Sequence, residues 1–195
     1  MNRPTVACAL VFLSLSGTPA HAQNWSLGTN VGLSVLTPKR GGDNFINFSW
    51  PGGGDGFLAE FMPGLRLGAM WAGEKREVYL DTGVNVTSDS RTGDSIRNVL
   101  VTLNYQFNAA TNIPVAPFVT VGGGVTNAGG VTTEGGSAWT TNVILGGGAG
   151  ILHRLGNGHG AVRGEVRVDH ITEDEEGLEG GTLFSLKLGF DLWMK

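Results

Sequence analysis

The chain has 195 residues, a formal net charge of −4, 41% hydrophobic residues, 33 glycines and one cysteine. This is enough for one domain. The acidic balance argues against a nucleic-acid partner, and after the N-terminus no apolar run reaches the ~18 residues of a membrane helix.

The chain opens Met1-Asn2-Arg3, runs apolar from Val6 to Leu15, and then reads Ala20-His21-Ala22-Gln23. A charged start, a short apolar core and a small-x-small site predict a secretory signal peptide over residues 1–22, cleaved after Ala22. Residues 23–195 then form one domain. Cys8 lies inside the apolar core rather than after it, so no lipid anchor is expected and the mature chain has no disulfide.

Eight segments of alternating polarity follow. They run from Trp25 to Leu36, about Glu60 to Trp71, Arg76 to Val86, about Ser95 to Phe107, Val115 to Val125, about Ala138 to Leu152, Ala161 to about His170, and Thr182 to Trp193. The last is the clearest. Phe184, Leu186, Leu188, Phe190 and Leu192 share one parity, and Ser185, Lys187, Gly189 and Asp191 share the other. Successive strand side chains point to opposite faces, so each segment is a ribbon with one apolar and one polar side. Charged residues fill one parity. They would make a poor soluble core but suit a packed polar lumen, so the apolar parity is expected to face lipid. Segments of about 9–12 residues suit tilted membrane strands.

The connections also alternate in length. Residues 37–56, 87–94, 126–137 and 171–181 are long and rich in Gly, Asp, Glu and Ser, whereas 72–75, 108–114 and 156–160 are short. A barrel with its N-terminus in the periplasm predicts short inner turns and longer outer loops. Trp25, Trp71, Tyr105, Phe107 and Trp193 fall at the ends assigned to the periplasmic rim, and Trp139 falls near the opposite rim. These are the expected interfacial aromatics, although Trp193 has inward parity. The glycine runs Gly122–Gly124 and Gly146–Gly150 lie on neighbouring segments. No lysine or helix follows them as in a phosphate loop, so a thin, bulged wall patch is expected.

The C-terminal stretch Lys187-Leu-Gly189-Phe-Asp-Leu192-Trp-Met194 resembles the assembly signal of outer-membrane barrels, and Ala161-Val-Arg-Gly-Glu-Val-Arg-Val-Asp169 is similar to their charged penultimate strand. With the eight segments, the whole mature chain resembles the small outer-membrane β-barrel family typified by the OmpA transmembrane domain and OmpX. The resemblance implies an all-β, eight-stranded antiparallel up-and-down transmembrane barrel in the outer membrane. It also implies insertion by the outer-membrane assembly machinery, with Lys187, Gly189, Leu192 and Met194 as the signal residues. It implies no single activity.

The candidate interior charges are Arg66, Asp81, Arg163, Glu165, Arg167, Asp169, Lys187 and Asp191, with Glu60 and Glu77 on the same parity. Arg163, Arg167 and Lys187 are expected to meet Glu165, Asp169 and Asp191, because buried charges persist only when paired. A narrow ion path is the alternative use of the same residues. An enzymatic reading, lipid A modification, would need His153 or His170 with a serine and an acid. No serine lies within two residues of either histidine, although Asp169 and Glu173 flank His170. The acidic loop Glu173–Glu179 does not match an EF-hand and reads as a solvated loop. No catalytic, cofactor or metal residue is assigned. The expected role is non-enzymatic, in envelope integrity or in surface interaction through loops 37–56 and 171–181. The expected partners are outer-membrane lipid and lipopolysaccharide, and a soluble periplasmic barrel with a ligand inside is the remaining rival.

Overall fold

The computed structural model describes residues 24–39, 45–49, 60–61, 64–88, 95–131, 137–156, 158–172 and 180–194. The signal-peptide reading and the acidic loop Glu173–Glu179 therefore lie outside the described residues. Ten strands follow in chain order: β1 (Asn24–Pro38), β2 (Phe45–Ser49), β3 (Glu60–Phe61), β4 (Gly64–Trp71), β5 (Arg76–Ser88), β6 (Ser95–Asn108), β7 (Val115–Val131), β8 (Ser137–Arg154), β9 (Gly160–Ile171) and β10 (Gly181–Met194). Antiparallel pairing runs β10-β9-β8-β7-β6-β5-β4-β1, and β10 pairs back onto β1 from Trp25↔Met194 to Pro38↔Gly181. Eight strands thus form a closed ring. Closure satisfies the backbone groups that an open sheet edge would leave unpaired.

The second barrel position departs from the expected unbroken strand over Glu60–Trp71. β4 pairs with β1 as far as Asn30↔Gly64, and further along β1 the partner is β2, from Gly32↔Ser49 to Leu36↔Phe45. The first long connection therefore contributes a strand to the wall. On the other side, Phe61 pairs with Asn85 while Leu65 pairs with Thr82, so four steps on one strand oppose three on the other. This one-residue mismatch is a β-bulge. It lies between Phe61 and Leu65.

Alternation then separates the two faces. Val166 is 61% exposed, Leu188 58% and Trp25 53%, and Leu65, Val119, Val121, Ile151 and Phe184 are also exposed. The inward parity buries Arg66, Glu77, Asp81, Gln106, Arg163, Glu165, Arg167, Asp169 and Asp191. Apolar residues outside and charges inside invert the arrangement of a water-soluble domain. Among the described residues no helix is long and apolar enough to cross a membrane.

The glycine-rich strands contain no bulge. β7 pairs without interruption with β6 and with β8, from Ser95↔Val131 to Asn108↔Phe118 and from Val115↔His153 to Val131↔Ser137. The expected bulged patch is a regular wall, and its inward glycines leave room for side chains from neighbouring strands. A Cβ on Gly122 would meet the Asn104 amide, one on Gly146 the Asp169 carboxylate, and one on Gly150 the Gly164 carbonyl and then the Phe118 ring. At Gly124 the obstacle is backbone: the Val101 carbonyl, with Thr102 Cα at 2.7 Å. Gly124→Ala should therefore destabilise the barrel by about 1–3 kcal/mol, since β6 cannot move aside without breaking its ladder. At Gly83 the nearest atom to an added Cβ is Leu100 Cβ at 3.9 Å. Gly83→Ala should be neutral or stabilising by up to about 1 kcal/mol. Urea unfolding of both variants in the same vesicles checks the contrast. Equal effects would show that space in the wall is not what the glycines supply.

Candidate functional site: the buried charge network of the lumen

The polar parities of β1, β4, β5, β6, β7, β9 and β10 converge on the barrel axis. Arg66 on β4 is 0% exposed and central. Its guanidinium donates to Glu77 at 2.6 Å and to the Gln106 side-chain carbonyl at 3.0 Å, and it stacks 3.4 Å from the Tyr79 ring centroid. Ser26 donates to the other Glu77 oxygen at 2.6 Å. Asp191 lies between two arginines, 3.7 Å from Arg66 Nε and 3.6 Å from Arg163 Nε. These separations exceed a direct hydrogen bond, so the Asp191 pairs are Coulombic in character. Among the described residues Arg66 Nε and Nη1, Arg163 Nη1 and Asp191 Oδ1 accordingly have no hydrogen-bond partner.

A second group lies toward the long-loop end. Arg167 donates to both oxygens of Asp169 at 2.8 Å and lies 3.8 Å from Glu165, which accepts from the Thr120 hydroxyl at 2.6 Å. Lys187 reaches Asp81 at 3.2 Å, and Asp81 also accepts from Asn30 at 3.0 Å. Each buried carboxylate thus has a cation or a donor, as burial in a low-dielectric interior requires.

The eight expected interior charges all project into the lumen, with partners that differ in part from those expected. Arg167 meets Glu165 and Asp169, and Arg163 meets Asp191. Lys187, however, crosses to Asp81 on β5. Arg66 joins Glu77 on the neighbouring β5 to Asp191 on β10. The side chain of Glu60 lies outside the described residues. On the assembly-signal stretch, Lys187 and Gly189 face inward while Leu192 and Met194 are exposed on the apolar face. Gly189 leaves space for the Arg163 side chain, whose Nε would lie 2.6 Å from an added Cβ.

Trp193 requires a correction. It is not an interfacial ring: it is 6% exposed, inside the short-turn end, clustered with Met70, Phe118, Leu152 and Ala161. Its inward parity holds to the end of β10 because Ser26↔Trp193 still pairs within the ladder. The Arg154 guanidinium lies 6.0 Å from the Trp193 ring centroid. Arg154 also pairs with Glu74 at 3.4 Å and donates to the carbonyls of Ile113 at 2.9 Å and Ala110 at 3.2 Å. The apolar cluster fills this end of the lumen, and Arg154 ties two short connections across it. The sequence reading missed Arg154, although its even numbering on β8 shares the inward parity of Leu152.

The other expected aromatics are on the outer face at the same end. Trp25 is exposed, Trp71, Tyr105 and Phe107 are half-buried, and the Trp71 and Tyr105 rings are 6.3 Å apart. Trp139 on β8 pairs with Gly129 on β7, and its side chain lies outside the described residues. The turn between β4 and β5 has left-handed φ at Ala72 (54°), Gly73 (66°) and Glu74 (67°). For the two non-glycine residues this costs about 1–2 kcal/mol each. Asn108 holds the turn in place, donating from its side chain to the Glu74 carbonyl at 2.6 Å and from its backbone to that of Lys75 at 2.9 Å.

His153 and His170 are exposed on the apolar face. Asp169 points the opposite way, into the lumen and onto Arg167, so it does not orient the His170 ring. Among the described residues, no group of three or more His, Cys, Asp or Glu is placed to hold a metal ion.

The closed eight-strand ring, apolar outer wall and ion-paired interior define the architecture of small outer-membrane β-barrels. The chain is similar to Neisserial surface protein A, with a TM-score of 0.65 and 13% identity over 90% of this chain and 99% of that one. It is also similar to Ail, the attachment invasion locus protein of Yersinia pestis, with a TM-score of 0.56 and 13% identity over 88% and 98% of the two chains. A major outer membrane protein from Thermus thermophilus matches with a TM-score of 0.52 and 14% identity over 87% and 99%. At these identities the likeness is one of fold. No protein-family model and no curated protein sequence matches the chain.

Proposed function

We propose that the first 22 residues export this chain and that the rest spans a bacterial outer membrane as a non-enzymatic barrel, supporting envelope integrity or binding at the surface through its outer loops. The observation that carries this reading is the filled interior. The central polar side chains are engaged with one another, and the Trp193 cluster occupies the short-turn end. An eight-stranded barrel is just wide enough for its side chains to fill, which leaves the loops as the surface open to a partner. Ail, of similar fold, has been seen in complex with a heparin analogue, sucrose octasulfate. That is support for surface recognition as a use of this architecture, with the ligand of the present chain set by its own loops.

The test is heat-modifiable gel mobility of the outer-membrane fraction, followed by planar-bilayer recording of the refolded protein. The expected result is a mobility shift on boiling with no steady conductance. Stable single-channel steps would favour the narrow-channel reading. A changed lipid A mass spectrum on expression, lost in His170→Ala, would favour the enzyme. A soluble protein with no mobility shift would favour a periplasmic ligand binder.

A further inference from the structure

The short-turn end carries one patch on the apolar face that the interior network does not use. Trp71, Arg76 and Phe107 form a row across β4, β5 and β6, because Arg76 is the register partner of both rings. All three have outward parity. Tyr105 is on the next row, beside Val78, with its ring 6.3 Å from that of Trp71. Lys75 Nζ lies 5.9 Å from the Phe107 ring centroid. Two exposed cations therefore sit among three aromatic rings at one rim.

The acid of this turn is held elsewhere. Glu74 pairs with Arg154 at 3.4 Å. The two Asn108 bonds and the left-handed run at residues 72–74 keep Glu74 separate from Lys75 and Arg76. Among the described residues neither Lys75 nor Arg76 meets a carboxylate. The patch is thus a fixed, uncompensated positive charge at the edge of an apolar wall that continues through Ala69, Val78, Leu67 and Leu80.

We propose that this patch binds the headgroup phosphate of an anionic glycerophospholipid. Arg76 and Lys75 hold the phosphate, and Trp71, Tyr105 and Phe107 flank the glycerol and the first acyl carbons. A guanidinium matches phosphate oxygens in a planar, bidentate fork, while an ammonium adds a point charge. Aromatic rings favour the headgroup level, and apolar strand residues favour the chains below it. A protein partner would need the adjoining wall to leave lipid, so a lipid is the occupant that the cations, the rings and the wall all suit. The proposal rests on the membrane reading given under Proposed function.

Wild type and the double variant Lys75→Gln/Arg76→Gln are refolded into vesicles of equal parts phosphatidylcholine and phosphatidylglycerol. Insertion is scored by heat-modifiable mobility, and the lipids retained after mild detergent extraction are identified by native mass spectrometry. The expected result is roughly tenfold enrichment of phosphatidylglycerol on the wild type, the scale that basic side chains at an anionic surface provide. Enrichment should fall to about the input ratio on the double variant. Inserted wild type without enrichment, or equal enrichment on the double variant, overturns the site and leaves the membrane reading standing. Wild type that fails to insert overturns the membrane reading and the site with it.

Discussion

Arg66→Ala should destabilise the folded barrel by about 3–5 kcal/mol, the usual consequence of removing one partner from a buried ion pair. Arg66 is fully buried. Its loss takes the 2.6 Å donor from Glu77, the 3.0 Å donor from Gln106, the stacking partner from Tyr79 and one of two counter-charges from Asp191. Glu77 keeps the Ser26 hydroxyl at 2.6 Å but has no remaining cation partner among the described residues. The double variant Arg66→Met/Glu77→Gln should recover much of the loss. It removes both charges while keeping volume, and such replacements are often close to neutral. Urea unfolding in vesicles of fixed composition measures all three proteins, and the difference between single and double variants gives the coupling. An Arg66→Ala effect below about 1 kcal/mol would mean that water or other groups already solvate Glu77, and the network would not then be the element that holds the lumen closed.

Val166→Arg should cost about 2–4 kcal/mol when the barrel is folded in a bilayer. Val166 is the most exposed large hydrophobic residue among those described, at 61%, and sits midway along β9 between Ala149 and Leu186. On a surface facing water the same change would stay within about 0.5 kcal/mol. The variant therefore reads the solvent of the outer wall directly. A neutral result in vesicles, with insertion verified by gel mobility, would place Val166 outside the hydrocarbon. Glu165, the preceding residue, serves as the internal reference: its carboxylate accepts from Thr120 inside the lumen, so its neighbour on the chain must face out.

Alternation makes the two faces legible in the sequence alone. Parity placed Arg66, Asp81, Arg163, Glu165, Arg167, Asp169, Lys187 and Asp191 on one side of the wall, and each projects into the lumen. The expectation fails where residue type is weighed above parity. Trp193 was assigned to the rim because tryptophan favours membrane interfaces, yet its parity already pointed inward and the ladder position decided the matter. The glycine runs suggested a bulge by composition. What they answer to is the bulk of Asn104, Asp169, Glu165 and Phe118 on neighbouring strands, which a single strand does not reveal.

The sequence by itself determined seven of the eight wall positions, the two faces of the wall and the charged residues that line the interior. These follow from a period of two along each strand, a local property that sequence displays directly. Only the tertiary structure decided which charge meets which. Register and closure set the height of each side chain on the axis, bringing Arg66 to Asp191 and Lys187 to Asp81. The same closure split the second wall position among β2, β3 and β4, gathered Met70, Phe118, Leu152, Ala161 and Trp193 at one end, and turned Glu74 toward Arg154. Those contacts join residues far apart in the chain across a ring whose stagger is fixed by all eight strands together, so no one segment carries the information that sets them.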